Sequence, residues 1–193
     1  MKEAEIRPQD IFDEYLRLTR EDAVTYFGDV ELQLGRCPAC GGAGAPAFEK
    51  QGFHYQTCPQ CQTLFVNPRP PASSFARYYT ESRSSKYWAT TFYKETAAAR
   101  REKLWKPKAV QVSELLRRYC AFHHAVVDIG GGYGLFAETM RELTGNAPVV
   151  IEPGPLLAAA CREKALQVVE KFLEDVLPQD LPESPKAFLS FEL

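Results

Sequence analysis

Hydrophobic positions along this chain change their period three times. Between residues 8 and 28 they recur at helical spacing: Phe12, Tyr15 and Leu16 stand at i, i+3 and i+4 with charges between them, and Gly28 supplies a stop. Between 35 and 70 the period breaks up among Gly and Pro, in CPACGGAGAP, CPQC and NPRPP. Only short strands fit there: Ala47–Phe48, Phe53–Tyr55 and Thr63–Val66. Helical spacing returns over 72–119, where Tyr78, Tyr79, Tyr87, Trp88, Phe92, Tyr93 and Trp105 gather. Val112, Leu115, Leu116 and Tyr119 form an i, i+3, i+4, i+7 face, and Pro107 marks a break or a first helical turn. From 125 onward, short apolar runs alternate with amphipathic ones. Strands are expected at Ala125–Ile129, Pro148–Ile151, Leu166–Val169 and Ala187–Phe191, with helices over Leu135–Leu143 and from Pro155 to about Lys164. Strands alternating with helices predict an α/β fold with a parallel, Rossmann-like sheet covered on both faces.

This pattern divides the chain into an N-terminal helical segment (1–34), a small β module (35–70), a helical lid or linker (71–120) and a Rossmann-like half-domain (121–193). The 193 residues are 45% hydrophobic and 25% charged, ordinary for a globular chain. A net charge of −2 excludes bulk attraction to nucleic acid or anionic lipid as the main activity. No apolar run has membrane-spanning length, and MKEAEIRPQD lacks the apolar region of a secretory signal. A cytoplasmic protein with neither nucleic-acid nor membrane partners is the expectation.

Cysteine placement adds the first chemistry. Cys37, Cys40, Cys58 and Cys61 fall in a C-x2-C, seventeen-residue, C-x2-C pattern, while Cys120 and Cys161 stand alone. One tight turn aims both thiolates of a C-x2-C pair at a single ion, and two such turns complete a tetrahedral zinc shell. Four thiolates leave no open position for water, so the zinc is structural. A β module with this few apolar residues needs such a staple. A redox C-x-x-C would not need a twin at this spacing. His54 lies between the pairs, but four cysteines suffice, and it reads as a strand-surface residue. The only basic residues of the module are Arg36, Lys50 and Arg69, too few for a nucleic-acid surface.

The stretch Val126–Gly134, VVDIGGGYG, adds the second. Asp128 leads Gly130, Gly131, Gly132, Tyr133 and Gly134 between a strand and a helix, where open α/β sheets bind ligands. Glu152 follows the second strand, where a carboxylate accepts hydrogen bonds from ribose hydroxyls. The strict dinucleotide pattern G-x-G-x-x-G fails, because Leu135 stands where the third glycine is needed; Gly132, Gly134 and Ala137 satisfy only a relaxed version. An acid-led triple glycine suits a nucleoside cofactor without phosphates, such as S-adenosylmethionine. His123 and His124 read as turn residues, Arg100 and Arg101 as a solvated helix face, and Tyr78, Tyr79, Tyr87 and Trp88 as packing residues or a lid.

VVDIGGGYG resembles the first motif of class I S-adenosylmethionine-dependent methyltransferases, and Glu152 in VVIEPG resembles that family's ribose-binding acid. Asp175 in FLEDV is similar to its residue near the adenine, and AFLSFEL to its fourth-strand motif. With CPAC…CPQC…VNPRP upstream, the chain resembles zinc-ribbon methyltransferases of sugar and natural-product pathways, over about 37–193. The resemblance implies a methyltransferase that uses S-adenosylmethionine and takes a small-molecule acceptor such as a sugar or sugar nucleotide. It implies cofactor contacts from Asp128, Gly130, Gly131, Gly132, Tyr133, Glu152 and Asp175, and assigns no catalytic residue. The family's sheet has seven strands, whereas this sequence supplies four and stops at Leu193, where a Glu-His pair is expected. A fragment or a reduced relative is therefore expected. A non-catalytic cofactor-binding or interaction module stands as the alternative function, and an NAD-dependent oxidoreductase as a third.

Overall fold

A computed structural model describes residues 3–119 and 121–191. In chain order the elements are helix α1 (Gln9–Phe27), strands β1 (Ala45–Lys50), β2 (Phe53–Thr57) and β3 (Leu64–Val66), and helices α2 (Ala72–Glu81) and α3 (Arg83–Tyr87). A π turn (Trp88–Phe92), α4 (Tyr93–Arg100), a second π turn (Arg101–Trp105) and α5 (Lys106–Arg118) continue from α3 as one helical run. Then come β4 (Val126–Ile129), α6 (Leu135–Thr144), β5 (Val149–Ile151), α7 (Pro155–Glu163), β6 (Val168–Val169), two 3-10 turns (Leu173–Asp175 and Pro178–Asp180) and β7 (Ala187–Ser190). Cys120, Glu192 and Leu193 lie outside the described residues, so the lone Cys120 and the end of AFLSFEL receive no structural account.

Two compact units emerge: Arg17–Ser82, and Met1–Leu16 together with Arg83–Leu193. In the Arg17–Ser82 unit, β1, β2 and β3 form an antiparallel sheet in that order. Phe27 of α1 packs its ring 5.8 Å from Phe53 of β2 and 5.0 Å from Phe75 of α2. The small sheet thus gains apolar neighbours from helices on either side of it in sequence.

In the other unit the sheet is parallel, with order β6-β5-β4-β7. The chain is therefore mixed α/β, with a four-strand parallel sheet compatible with a Rossmann-like arrangement and a cysteine cluster preceding it. Strand alternation assigns the two faces. Val126 joins Trp105 of the second π turn, Ala109, Val112 and Leu116 of α5, and Phe136 and Met140 of α6. Val150, on the same face, meets Ala137 of α6 and Cys161 of α7. Val127, Val149, Ile151 and Val169 face the opposite way, against Val176 and Leu181. Among the described residues, this second face is covered by the segment of 3-10 turns between β6 and β7. Pro178, Pro182 and Pro185 lie between β6 and β7 and block a regular helix there. Phe188, on that face of β7, stays 55% exposed.

Pro107 sits in the first turn of α5, directly after the second π turn. It has no N–H to return to the preceding turn, and the wider π turn adjoins that gap. One correction concerns Arg100, expected on a solvated face. It is 3% exposed, with its guanidinium carbon 5.6 Å from the ring centroids of both Phe92 and Tyr93. Arg101 is also partly covered, and it pairs with Glu138 and Glu142 of α6. A guanidinium stacks on aromatic faces, so aromatic-rich helices can take it inside.

Candidate functional site

In the Arg17–Ser82 unit, two tight turns carry the four cysteines. Gly41 N–H donates to Cys37 O, and Gln62 N–H donates to Cys58 O. The β1–β2–β3 hairpins bring the turns together. All four sulfurs lie within 4.8 Å of one another; Cys37 and Cys61 are 3.5 Å apart, as are Cys40 and Cys58. A tetrahedral zinc–thiolate shell needs sulfur edges of about 3.8 Å, so the donor set fits a metal such as zinc. The Thr63 hydroxyl and backbone bond to Cys61 hold its thiol down to about 6. His54 is exposed beside Glu49, 3.7 Å away, and is not among the clustered ligands.

In the sheet-bearing unit, β4 ends at Ile129 and the chain turns through Gly130–Gly134 into α6. On one side of β4 the strand order runs to β5 and β6, on the other to β7, so the loop opens beside a topological switch point. Gly130 N–H donates to Ile151 O at 2.8 Å, fastening the loop to the end of β5. Glu152, the next residue, is 6% exposed. Its carboxylate accepts from Gly132 N–H at 2.9 Å and Gly154 N–H at 2.8 Å. Burial raises its pKa, while those two backbone bonds pull it down.

Asp128 is 2% exposed, and its Oδ2 has no hydrogen-bond partner among the described residues. Burial, with the Glu152 charge second, pushes its pKa up to about 7. Gly132 has φ +56°, and a Cβ there would lie 2.9 Å from the Tyr93 hydroxyl. Both its backbone and the approach of Tyr93 exclude a side chain.

The structure brings buried Asp128, Gly132 and Glu152 together with half-buried Gly130 and Gly131 at the ends of β4 and β5, and leaves Tyr133 half-buried beside them. Asp175 is exposed on its 3-10 turn, where its N–H bonds to Phe172 O. His123 and His124 are exposed in the turn before β4. Three participants escaped the sequence reading. Tyr93 stacks on Tyr133 with centroids 5.3 Å apart and planes at 10°. Lys164 Nζ sits 3.6 Å from the other ring contact of that stack, the Tyr133 centroid. Cys161, fully buried, donates its thiol to Gly132 O at 3.2 Å. Its isolation in sequence was the one available signal; nothing in the spacing around Tyr93 or Lys164 points at the loop.

Chemically, the network offers fixed acceptors and a glycine backbone without side chains in the way. No side chain of it stands as an evident nucleophile, since burial pushes the Cys161 thiol up to about 12. No protein-family model matches the chain, and a search of curated proteins returned no match.

Proposed function

We propose that this protein is an S-adenosylmethionine-dependent methyltransferase of the class I, seven-strand type, acting on a small molecule such as a sugar or sugar nucleotide, with a structural zinc on Cys37, Cys40, Cys58 and Cys61. The observation that carries the reading is the unpartnered, buried Asp128 Oδ2 beside a glycine loop held by Glu152. A carboxylate has about four acceptor positions. Glu152 commits one on each oxygen to a backbone N–H, and the remaining capacity suits two ribose hydroxyls. Asp128 supplies a further acceptor for a polar group of the ligand. Gly130–Gly132 lets a nucleoside approach the backbone.

The charge of the site favours this cofactor over a dinucleotide. Two buried acids offer no cation to a pyrophosphate, while a sulfonium carries a positive charge and no phosphate. When bound, S-adenosylmethionine supplies an activated methyl group on a good leaving group. The protein then has to hold and orient the reactants and exclude water. Asp128 and Glu152 orient, the glycine loop admits, and the Tyr93–Tyr133 stack shields the loop.

A thermal-shift comparison tests the choice of cofactor. S-adenosylhomocysteine raises the melting temperature of the zinc-loaded chain by several degrees at saturation, whereas NAD leaves it unchanged. A shift with NAD alone would instead favour an oxidoreductase. No shift with either would leave a zinc-stapled interaction module.

A further inference from the structure

The Arg17–Ser82 unit contains a cavity of about 470 Å³ that the cofactor reading does not use. Its size falls within the roughly 300–1,000 Å³ typical of small-molecule sites. Phe27, Phe53, Phe75 and Tyr78 line it, and so do Arg36 and Arg69. No Asp or Glu is among the lining residues.

The walls are not simply the closed core of a small unit. Within residues 17–82 the fully buried hydrophobic side chains are Leu18, Cys37 and Cys58. The aromatic rings instead surround the space: Phe75 remains 37% exposed and Tyr79, also on its lining, 48%. The rings are braced against each other, with Phe27 and Tyr78 centroids 5.5 Å apart and Tyr78 and Tyr79 meeting edge to face at 5.6 Å. Rigid aromatic walls bind a flat apolar group at low entropic cost. Two guanidiniums without a lining acid select a negative charge on that group. Arg36 uses one Nη1 bond on Gly41 O and keeps further donors. The Arg fork matches the two oxygens of a carboxylate.

From this arrangement of aromatic walls and paired guanidiniums we infer that the Arg17–Ser82 unit carries its own binding site for a small aromatic carboxylate. The ring lies among Phe27, Phe53, Phe75 and Tyr78, and the acid group meets Arg36 and Arg69. This site is independent of the glycine loop and of the cofactor assigned to it.

The test uses the full zinc-loaded chain and two probes matched in shape, indole-3-acetate and its neutral amide, followed by ¹H–¹⁵N spectra and calorimetry. The acid is expected to shift amides of Phe27, Phe53 and Tyr78 and to bind about tenfold more tightly than the amide. Arg69→Gln, at a position whose backbone bonds to Gln33 do not depend on the side chain, should reduce the preference for the acid, and Arg36→Gln added to it should bring the acid to the affinity of the amide. Ala23→Phe, which fills the cavity from α1, should abolish binding of both probes; an unchanged melting temperature shows that it folds. Equal affinity of acid and amide, shifts confined to residues outside 17–82, or no shifts at millimolar probe would each overturn the inference.

Discussion

At the scale of single residues, the glycine-loop network trades stability for a polar pocket, and Asp128 shows the cost. Its pKa in the fold, about 7, lies above its ordinary value of 3.8 because burial opposes its charge. The folded state therefore binds the proton more tightly than the unfolded chain. Stability falls as pH rises from the unfolded value toward 7, then levels off. Asp128→Asn removes this penalty: the unit with the parallel sheet should gain on the order of 2 kcal/mol at pH 8 and lose the Asp128 share of its pH slope between 4 and 7. Denaturant melts across that range check both effects. A second residue-scale prediction separates backbone strain from crowding. Gly134 has φ +75°, and a Cβ there would come within 2.7 Å of Cys161 Sγ; Gly145 has φ +79° and open space around it. Gly145→Ala should cost about 1 kcal/mol of strain alone, and Gly134→Ala about 2–4 kcal/mol, because overpacking is added. Equal costs in chemical denaturation would contradict the crowding argument.

At the scale of elements, the zinc-type cluster and the helical run stabilise different pieces. Residues 17–82 bury few hydrophobic side chains completely, so a metal held by the four cysteines would supply much of the folding free energy of the β1–β2–β3 sheet. Chelation, or Cys58→Ser, should collapse the spectral dispersion of residues 37–66 while amides of β4 and β5 keep their exchange protection. Loss of protection in both sheets would contradict this division. In the helical run, Phe92 is fully buried and stacks on Trp88 at 3.9 Å with planes 6° apart. Phe92→Ala should cost about 3–5 kcal/mol, read from denaturant melts of the sheet-bearing unit. These elements differ in how well their sequence announces them. The cysteine pairs, the glycine loop and the strands β4 and β5 were legible because each depends on local spacing. The Tyr93–Tyr133 stack was not, since it arises from packing between segments distant in sequence, and the π turns and the inward-facing Arg100 have no spacing pattern that marks them.

At the scale of the whole molecule, the two compact units hold two kinds of chemistry. One has a four-thiolate cluster and an aromatic cavity with two guanidiniums; the other has a parallel sheet whose switch point meets a buried acid pair. Among the described residues no helix is long and apolar enough to cross a membrane. The central claim is that the acid pair and glycine loop bind S-adenosylmethionine, and calorimetric titration of the zinc-loaded chain tests it most directly. S-adenosylmethionine should bind with one site per chain and NAD should not. Glu152→Ala should weaken binding about tenfold through the lost ribose acceptors, and Gly132→Val should abolish it. A cooperatively melting chain that binds neither ligand, or binding that both variants leave intact, would contradict the account.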